Sequence, residues 1–181
     1  MGRHLSIRHW SGLALVAALV TAGCASTRQA IGAGALAGPS PVAVSWQDPQ
    51  GFSEPTWGAM PVDRGQWIRP LAEHLRRQAE PMLAPGERLE VELMDVNRAG
   101  EYEPGRSAAV GHDFRVVRDI YPPRIHLRFR HLAGSGAVIA EGERRLVDVG
   151  FMQRQSIMDS DPLRYEKRLL DDWLRRELGG R

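Results

Sequence analysis

The alternation of apolar and polar side chains predicts four or five β-strands in the second part of the chain. Val42, Val44 and Trp46 alternate with smaller residues, a pattern typical of a strand with one buried face. Further strands are predicted over residues 89–95, 114–117, 124–130 and 137–146. In the long strands the second face is small or charged, so the sheet is expected to bury one side and to solvate the other.

Two of these strands are predicted to form a hairpin around the turn Gly134-Ser135-Gly136. With a loop of residues 133–136, Arg128 lies opposite Glu141 and His126 lies opposite Glu143. Cross-strand pairs of opposite charge are a normal way to solvate a sheet face. The basic stripe on the first strand of the hairpin is therefore interpreted as structural, in preference to a nucleic-acid surface; it consists of Arg124, His126, Arg128 and Arg130.

Spacings of three and four residues predict two amphipathic helices. The first runs from about residue 67 to 82, and its apolar stripe comprises Trp67, Leu71, Leu75, Ala79 and Met82. The second runs to about Leu178, with Asp161 as its N-cap and Pro162 in the first helical position. Together the elements predict an α+β fold, a two-layer sandwich. An antiparallel-rich sheet of four to five strands would carry both helices on one face.

The amino terminus predicts export. A basic start with Arg3 and Arg8 precedes the apolar run 12–20, which is too short for a membrane span of about 20 residues. Small residues then lead to Cys24, an ending that resembles the bacterial lipoprotein signal. The resemblance implies that residues 1–23 are removed and that Cys24 is lipidated. Ala25 favours the outer membrane, with the protein facing the periplasm; an ordinary secretory signal with a buried cysteine is the alternative.

Composition divides the rest of the chain and limits its partners. Residues 24–41 are rich in Ala, Gly, Ser and Pro and are predicted to be a lipidated flexible tether, followed by a single domain over 42–178. Removing Arg3 and Arg8 leaves 22 of the 24 basic residues against 22 acidic ones, which argues against nucleic acid as the partner. The single cysteine excludes an internal disulfide and a CxxC redox pair.

One group of charged residues is a candidate ligand or ion-pair cluster. Asp95 is predicted to continue the apolar face of its strand, where an unpaired carboxylate is costly to bury. An arginine partner would compensate for this cost; the alternative is a strand-end carboxylate that caps the loop. The cluster consists of Asp95, Arg115, Arg118, Asp119, Arg124 and Arg144.

Catalytic and metal-binding motifs are not found in the sequence. There is no GxSxG elbow and no phosphate loop, and the histidines after residue 24 lack metal-binding helical spacing. No base can be assigned to the loop serines Ser107, Ser135 and Ser156. No cofactor, metal site or catalytic residue is therefore predicted.

Several motifs together resemble the bacterial lipoproteins of the domain-of-unknown-function 3016 family. In chain order these are Val42-x-Val44-x-Trp46-x-Asp48-Pro49, Leu89-x-Val91 with Asp95-Val96, Pro123-Arg124-Ile125-x-Leu127-Arg128, Glu141-Gly142-Glu143-Arg144-x-Leu146 and Tyr165-Glu166-Lys167-x-x-Leu170-Asp171-Asp172-Trp173. The resemblance covers about residues 42–178. It implies an exported single-domain protein and carries no activity.

These observations favour a lipid-anchored envelope domain that binds or supports an envelope protein or another envelope component without catalysis. Its expected contact regions are the 97–113 loop and the 147–160 segment, with Phe151 and Met152 as apolar candidates. The alternative is a small envelope hydrolase or cell-wall-modifying enzyme that uses loop residues. A third hypothesis is a binder of a small anionic ligand through Arg115, Arg118 or Arg124. The sequence leaves the oligomeric state open.

Overall fold

A computed structural model of the chain describes residues 32–53, 65–102, 115–154 and 160–179. Cys24, Ser107 and Ser156, together with most of the predicted 97–113 loop and residues 155–159 of the second contact segment, lie outside the described residues.

The main sheet has five strands, β1 (Gly34–Ala35), β2 (Val42–Trp46), β3 (Arg88–Asn97), β6 (Arg124–Leu132) and β7 (Val138–Val147). They lie in the order β1-β2-β3-β6-β7. A separate short pair is formed by β4 (Glu101–Tyr102) and β5 (Arg115–Val116). Strands β2 and β3 are parallel, whereas the other neighbours are antiparallel. The α+β prediction is thus confirmed, with a mixed sheet.

Both predicted helices are present and pack against one face of the sheet. Helix α1 (Ile68–Ala79) connects β2 to β3 and continues into a 3-10 turn over Glu80–Met82, and α2 (Arg164–Leu178) closes the domain. The core lies between the helices and the sheet, where Phe129 meets Trp173 edge-on at a centroid distance of 5.6 Å. Within the described ranges, neither helix is long and apolar enough to cross a bilayer.

A β-bulge in β3 changes the face on which Asp95 lies. Leu93 pairs with Leu127 but Asp95 pairs with the next residue, His126, so one extra residue is inserted between them. Beyond the bulge Val96 takes the core position and is fully buried. The prediction that Asp95 continues the apolar face is therefore wrong, since the bulge moves it to the opposite side of the sheet.

The hairpin register also differs from the prediction, by two residues. Arg128 pairs with Glu143 and Arg130 pairs with Glu141. One residue of the difference comes from the turn. The Ala133 N–H donates to the Ala137 carbonyl, so only residues 134–136 form the loop instead of residues 133–136. The other comes from a bulge between His131 and Leu132. The expected pattern of acids opposite bases is nevertheless present.

Residues 32–41, predicted as part of a flexible tether, pack against the domain. Strand β1 pairs with β2, and the indole Nε1 of Trp46 donates to the carbonyl of Gly32 at 3.0 Å. The Arg76 guanidinium on α1 donates to two carbonyls of this region, those of Leu36 and Ala37, and to the carbonyl of Val42 at the start of β2. The tether prediction is wrong for these residues, and residues 24–31 lie outside the described part of the chain.

Candidate functional site

The face of the sheet opposite the helices is open and carries two rows of charged side chains. In the first row, Arg130 of β6 lies between Glu90 of β3 and Glu141 of β7, with N···O distances of 3.3 and 3.4 Å. All three side chains are about half exposed, at 49%, 48% and 59%. The row exists because residues directly opposite each other on adjacent strands point to the same face of the sheet.

The second row is more extensively bonded. Arg128 donates to Glu143 at 2.8 Å and to Glu92 at 3.3 Å, and the Nε2 of His126 lies 3.2 Å from Glu143. The hydrogen bond from Arg128 lowers the pKa of Glu143, and the bond from His126 adds to this effect. The same bond raises the pKa of Arg128. The charges of this row are therefore held in place by one another.

A groove of about 360 Å³ lies beside these rows, over β1, β2 and β3. Ala35, Ala43 and Ser45 leave space there, and Glu90 and Glu92 stand next to it with their two arginine partners. In the two rows four carboxylates outnumber two guanidinium groups, whereas Arg124 and Arg145 occupy the other end of the face. The groove can accept a small apolar group whose neighbours are basic.

A buried carboxyl group, missed by the sequence analysis, lies at the end of β3. Glu166 on the first turn of α2 is 1% exposed, and its Oε1 accepts the Ala99 N–H at 2.6 Å. Its Oε2 has no hydrogen-bond partner among the described residues. Burial raises the pKa of Glu166, against the effect of the Ala99 bond and of Arg98 and Arg115.

Arg115 completes this buried centre. One of its terminal nitrogens donates to the carbonyls of Arg98, Ala99 and Gly100, at 2.9, 3.2 and 3.3 Å. Burial lowers the pKa of Arg115, and the nearby Glu166 opposes this shift. The centre joins β3, β5 and α2 through charged groups, and the burial of Glu166 favours a role in packing. A sequence signal was present, because Glu166 lies on the apolar stripe of Leu163, Leu170 and Trp173.

The structure does not bring the six residues of the predicted cluster together. The Asp95 carboxylate caps a neighbouring loop by accepting the N–H and the hydroxyl of Ser53, at 2.7 and 2.6 Å. Arg144 lies on the helix side of the sheet, where it donates to Glu177 and stands 4.9 Å above the ring of Phe129. An ion pair between Asp95 and Arg144 is thus excluded, since the sheet separates them.

The other members of the cluster are dispersed. Arg115 belongs to the buried centre described above. Arg124 is exposed at the start of β6, whereas the half-buried Arg118 and the exposed Asp119 lie on the connection between β5 and β6. Of the six residues, only Asp95 and Arg124 share the open face, where they pair with His126 and Asn97 respectively.

Phe151 is not available as a contact residue. It is 1% exposed and packs edge-on against Tyr165, with a centroid distance of 4.8 Å and an interplanar angle of 87°. Met152, the other apolar candidate, is exposed. The reason for the difference is that a 3-10 turn over Phe151–Arg154 directs Phe151 into a small second core with Ala99 and Val117.

A second groove, of about 240 Å³, lies between the two helices. His74 of α1 approaches Asp171 of α2 with an Nε2···Oδ1 distance of 2.7 Å, and Lys167 pairs with Asp161. A histidine–carboxylate pair can hold or move a proton, but here it bridges two helices. Among the described residues no group of three or more His, Cys, Asp or Glu side chains could hold a metal ion.

Comparisons with known proteins identify a family. Neither the curated proteins nor the solved structures give a match. A family model described as "Protein of unknown function" (DUF3016) matches residues 40–176, which is well over half of the 181 residues. The chain therefore belongs to this family of unknown function.

Proposed function

We propose that this protein is a lipid-anchored, non-enzymatic domain of the cell envelope that binds an envelope component through the open face of its sheet. The observation that carries the proposal is that both helices pack on one face, while the other presents paired charges and a groove. The partner that fits has basic groups next to a small apolar side chain, because the groove lies beside the more acidic part of this face.

The anchor is proposed from the amino terminus. Cys24 is the only cysteine and follows a short apolar run and small residues. Each buried CH₂ of a fatty chain is worth about 0.8 kcal/mol, and stable anchoring takes more than one chain. A fully acylated Cys24 would therefore keep the protein at a membrane, and Ala25 after it favours the outer membrane on its periplasmic side, where the domain meets partners that share this compartment.

The paired charges make the face suitable for recognition. Arg128 and Arg130 are each fixed by acids on both neighbouring strands, so their orientation needs little further ordering when a partner binds. Charge complementarity of this kind contributes more to specificity and to the association rate than to affinity.

The anchor is tested by mass spectrometry and fractionation of the native protein. We expect the wild type to begin at an acylated Cys24 and to sediment with outer membranes. The Cys24→Ser variant should carry no fatty chain, because serine has no thiol to acylate. It should therefore no longer sediment with outer membranes. An unmodified cysteine on a soluble wild-type protein would contradict the anchor.

The binding face is tested by photocrosslinking in intact cells. A photoreactive amino acid at Ser45, in the groove, should trap a reproducible partner, whereas the same probe at the exposed Arg77 of α1 should not. Reversing the two acids beside the groove, Glu90→Lys with Glu92→Lys, should reduce the adduct at Ser45. Equal adducts from both probe positions, or an adduct insensitive to the reversal, would contradict the proposed face.

A further inference from the structure

The exposed apolar side chains of this protein are concentrated on one edge of the sheet. Among the described residues six large apolar side chains are exposed, and four of them lie on β7 or just after it. These are Val138, Ile139, Val147 and Val149, with exposures of 47%, 41%, 48% and 77%. Isolated exposed aliphatic residues are ordinary, but here they form two pairs, one at each end of the same strand.

Strand β7 is also the long free edge of the sheet. It comprises ten residues and pairs with β6 on one side, and no described strand pairs with its other side. The opposite edge strand, β1, has only two residues. A long edge strand presents unpaired N–H and C=O groups and is a template for a further strand.

The sequence of β7 is complementary to itself when it is read in the antiparallel direction about Glu143. In that register Ala140 faces Leu146 of the second copy and Glu141 faces Arg145, and each pair occurs twice. Ile139, the extra residue of the bulge in β7, lies at the level of Val147 of the second copy. Apolar residues thus meet apolar residues at both ends, and opposite charges meet between them. Pairs of opposite charge across strands contribute about 0.2–1 kcal/mol each.

The centre of this register would place two Glu143 side chains opposite each other. Each carboxylate already accepts bonds from Arg128 and lies next to His126 of its own chain, so its charge is compensated before pairing. Arg144, which points to the helix side, is held by Glu177. Neither group therefore opposes the approach of a second copy.

We propose that β7 pairs in the antiparallel direction with β7 of a second copy, about a two-fold axis at Glu143, and joins the two sheets into one. The occupant of the edge is a second copy because the charge pattern of β7 matches itself. The dimer goes beyond the proposed function and does not depend on the lipid anchor. It would place the two open faces side by side on one continuous surface.

Disulfide trapping in the full-length protein tests the axis. Directly opposite residues of antiparallel strands have Cα atoms about 4.5–5.5 Å apart, within the range that a disulfide accepts. Glu143→Cys should therefore give a disulfide-linked dimer on mild oxidation. Glu141→Cys is the matched control on the same face, because the two copies of residue 141 would lie about 14 Å apart. Equal dimer yields from both variants would overturn the proposed register.

Charge exchange tests the pairing independently of the introduced thiols. Arg145→Glu places a carboxylate opposite Glu141 of the second copy and should shift the sedimentation of the protein towards the monomer. The double variant Glu141→Arg with Arg145→Glu restores opposite charges and should recover the dimer, which a damaged fold would not do. A wild type that sediments as a monomer, a double variant without recovery, or a Glu143→Cys adduct with a different protein would overturn the proposal.

Discussion

Replacing the buried Glu166 by alanine should lower the free energy of unfolding by about 1–3 kcal/mol. The carboxylate accepts the Ala99 N–H at 2.6 Å in a site closed to solvent, so truncation leaves a buried donor without a partner. Such an orphaned donor costs about 1–3 kcal/mol. Truncation also takes a negative charge from beside Arg98 and Arg115, but it relieves the cost of burying a carboxylate, and these two effects oppose each other.

Glutamine at position 166 separates the hydrogen bond from the charge. Glu166→Gln retains an oxygen that can accept the Ala99 N–H, so it should lose less stability than Glu166→Ala. The exposed Glu73→Gln on α1 serves as the control for loss of a surface carboxylate and should change stability by no more than about 0.5 kcal/mol. Urea unfolding of the purified proteins measures the stability of each of these three variants relative to the wild type. The slopes of unfolding free energy against urea concentration are compared between them.

The pH dependence of the same variants provides a second measurement. Burial raises the pKa of Glu166 above its ordinary value of 4.5, so the folded protein keeps this proton at pH values where the unfolded chain has lost it. The stabilisation from this group is complete below about pH 4.5 and is lost as the pH rises through the folded pKa. Glu166→Gln lacks this loss.

The stability of Glu166→Gln relative to the wild type should therefore increase as the pH rises above 4.5. A stability difference that stays constant with pH, or that changes in the opposite direction, would refute the reasoning about the buried carboxyl group. A loss in Glu166→Ala no larger than that in Glu73→Gln would refute the role of the Ala99 bond.

Three further variants test the backbone and the core. Gly100 has φ +90°, and an added Cβ would lie 2.9 Å from the Val116 carbonyl oxygen, so Gly100→Ala should lose more stability in urea than Gly136→Ala. Gly136 has φ +86° but open space around it, so alanine there should cost only about 1–2 kcal/mol of strain, and equal losses would contradict the clash. Arg76→Ala should speed amide hydrogen exchange in β1, because the side chain bonds three backbone carbonyls beside that strand. Arg77→Ala, at an exposed position of the same helix, should leave this exchange unchanged. Unchanged exchange in Arg76→Ala would contradict a stabilising role of the three carbonyl contacts. Phe129→Ala should cost about 3–5 kcal/mol in thermal unfolding, and a loss below 1 kcal/mol would contradict its central packing on Trp173.

The helices and the long strands could be predicted because each buries a single stripe of side chains. Leu71 and Leu75 of α1, and Val42 and Val44 of β2, occupy core positions at the expected period. The bulges were missed because they insert a residue without changing the composition of the strand. A signal for the first bulge was present, since the apolar positions pass from Leu93 to Val96 and so change phase.

The candidate sites were less predictable than the elements. Asp95 was singled out for its place on an apolar face, but a one-residue bulge moved it to the open side. Arg115 was identified as a candidate without its partner Glu166, which lies 51 positions further along the chain on another element. The contact of Arg76 with residues 36 and 37 was equally hidden, because it is made to backbone carbonyls, which every residue has.

From the sequence alone it follows that the domain has two amphipathic helices and strands with one apolar face, since periodicity is a local property of the chain. The positions that meet across the fold depended on the tertiary structure. It set β3 parallel to β2, paired Arg128 with Glu143 and placed β7 at an edge where no described strand pairs with its outer side. Hydrophobic periodicity specifies which face of each element is buried, whereas register and neighbour order depend on turns, bulges and crossings that bring distant residues together.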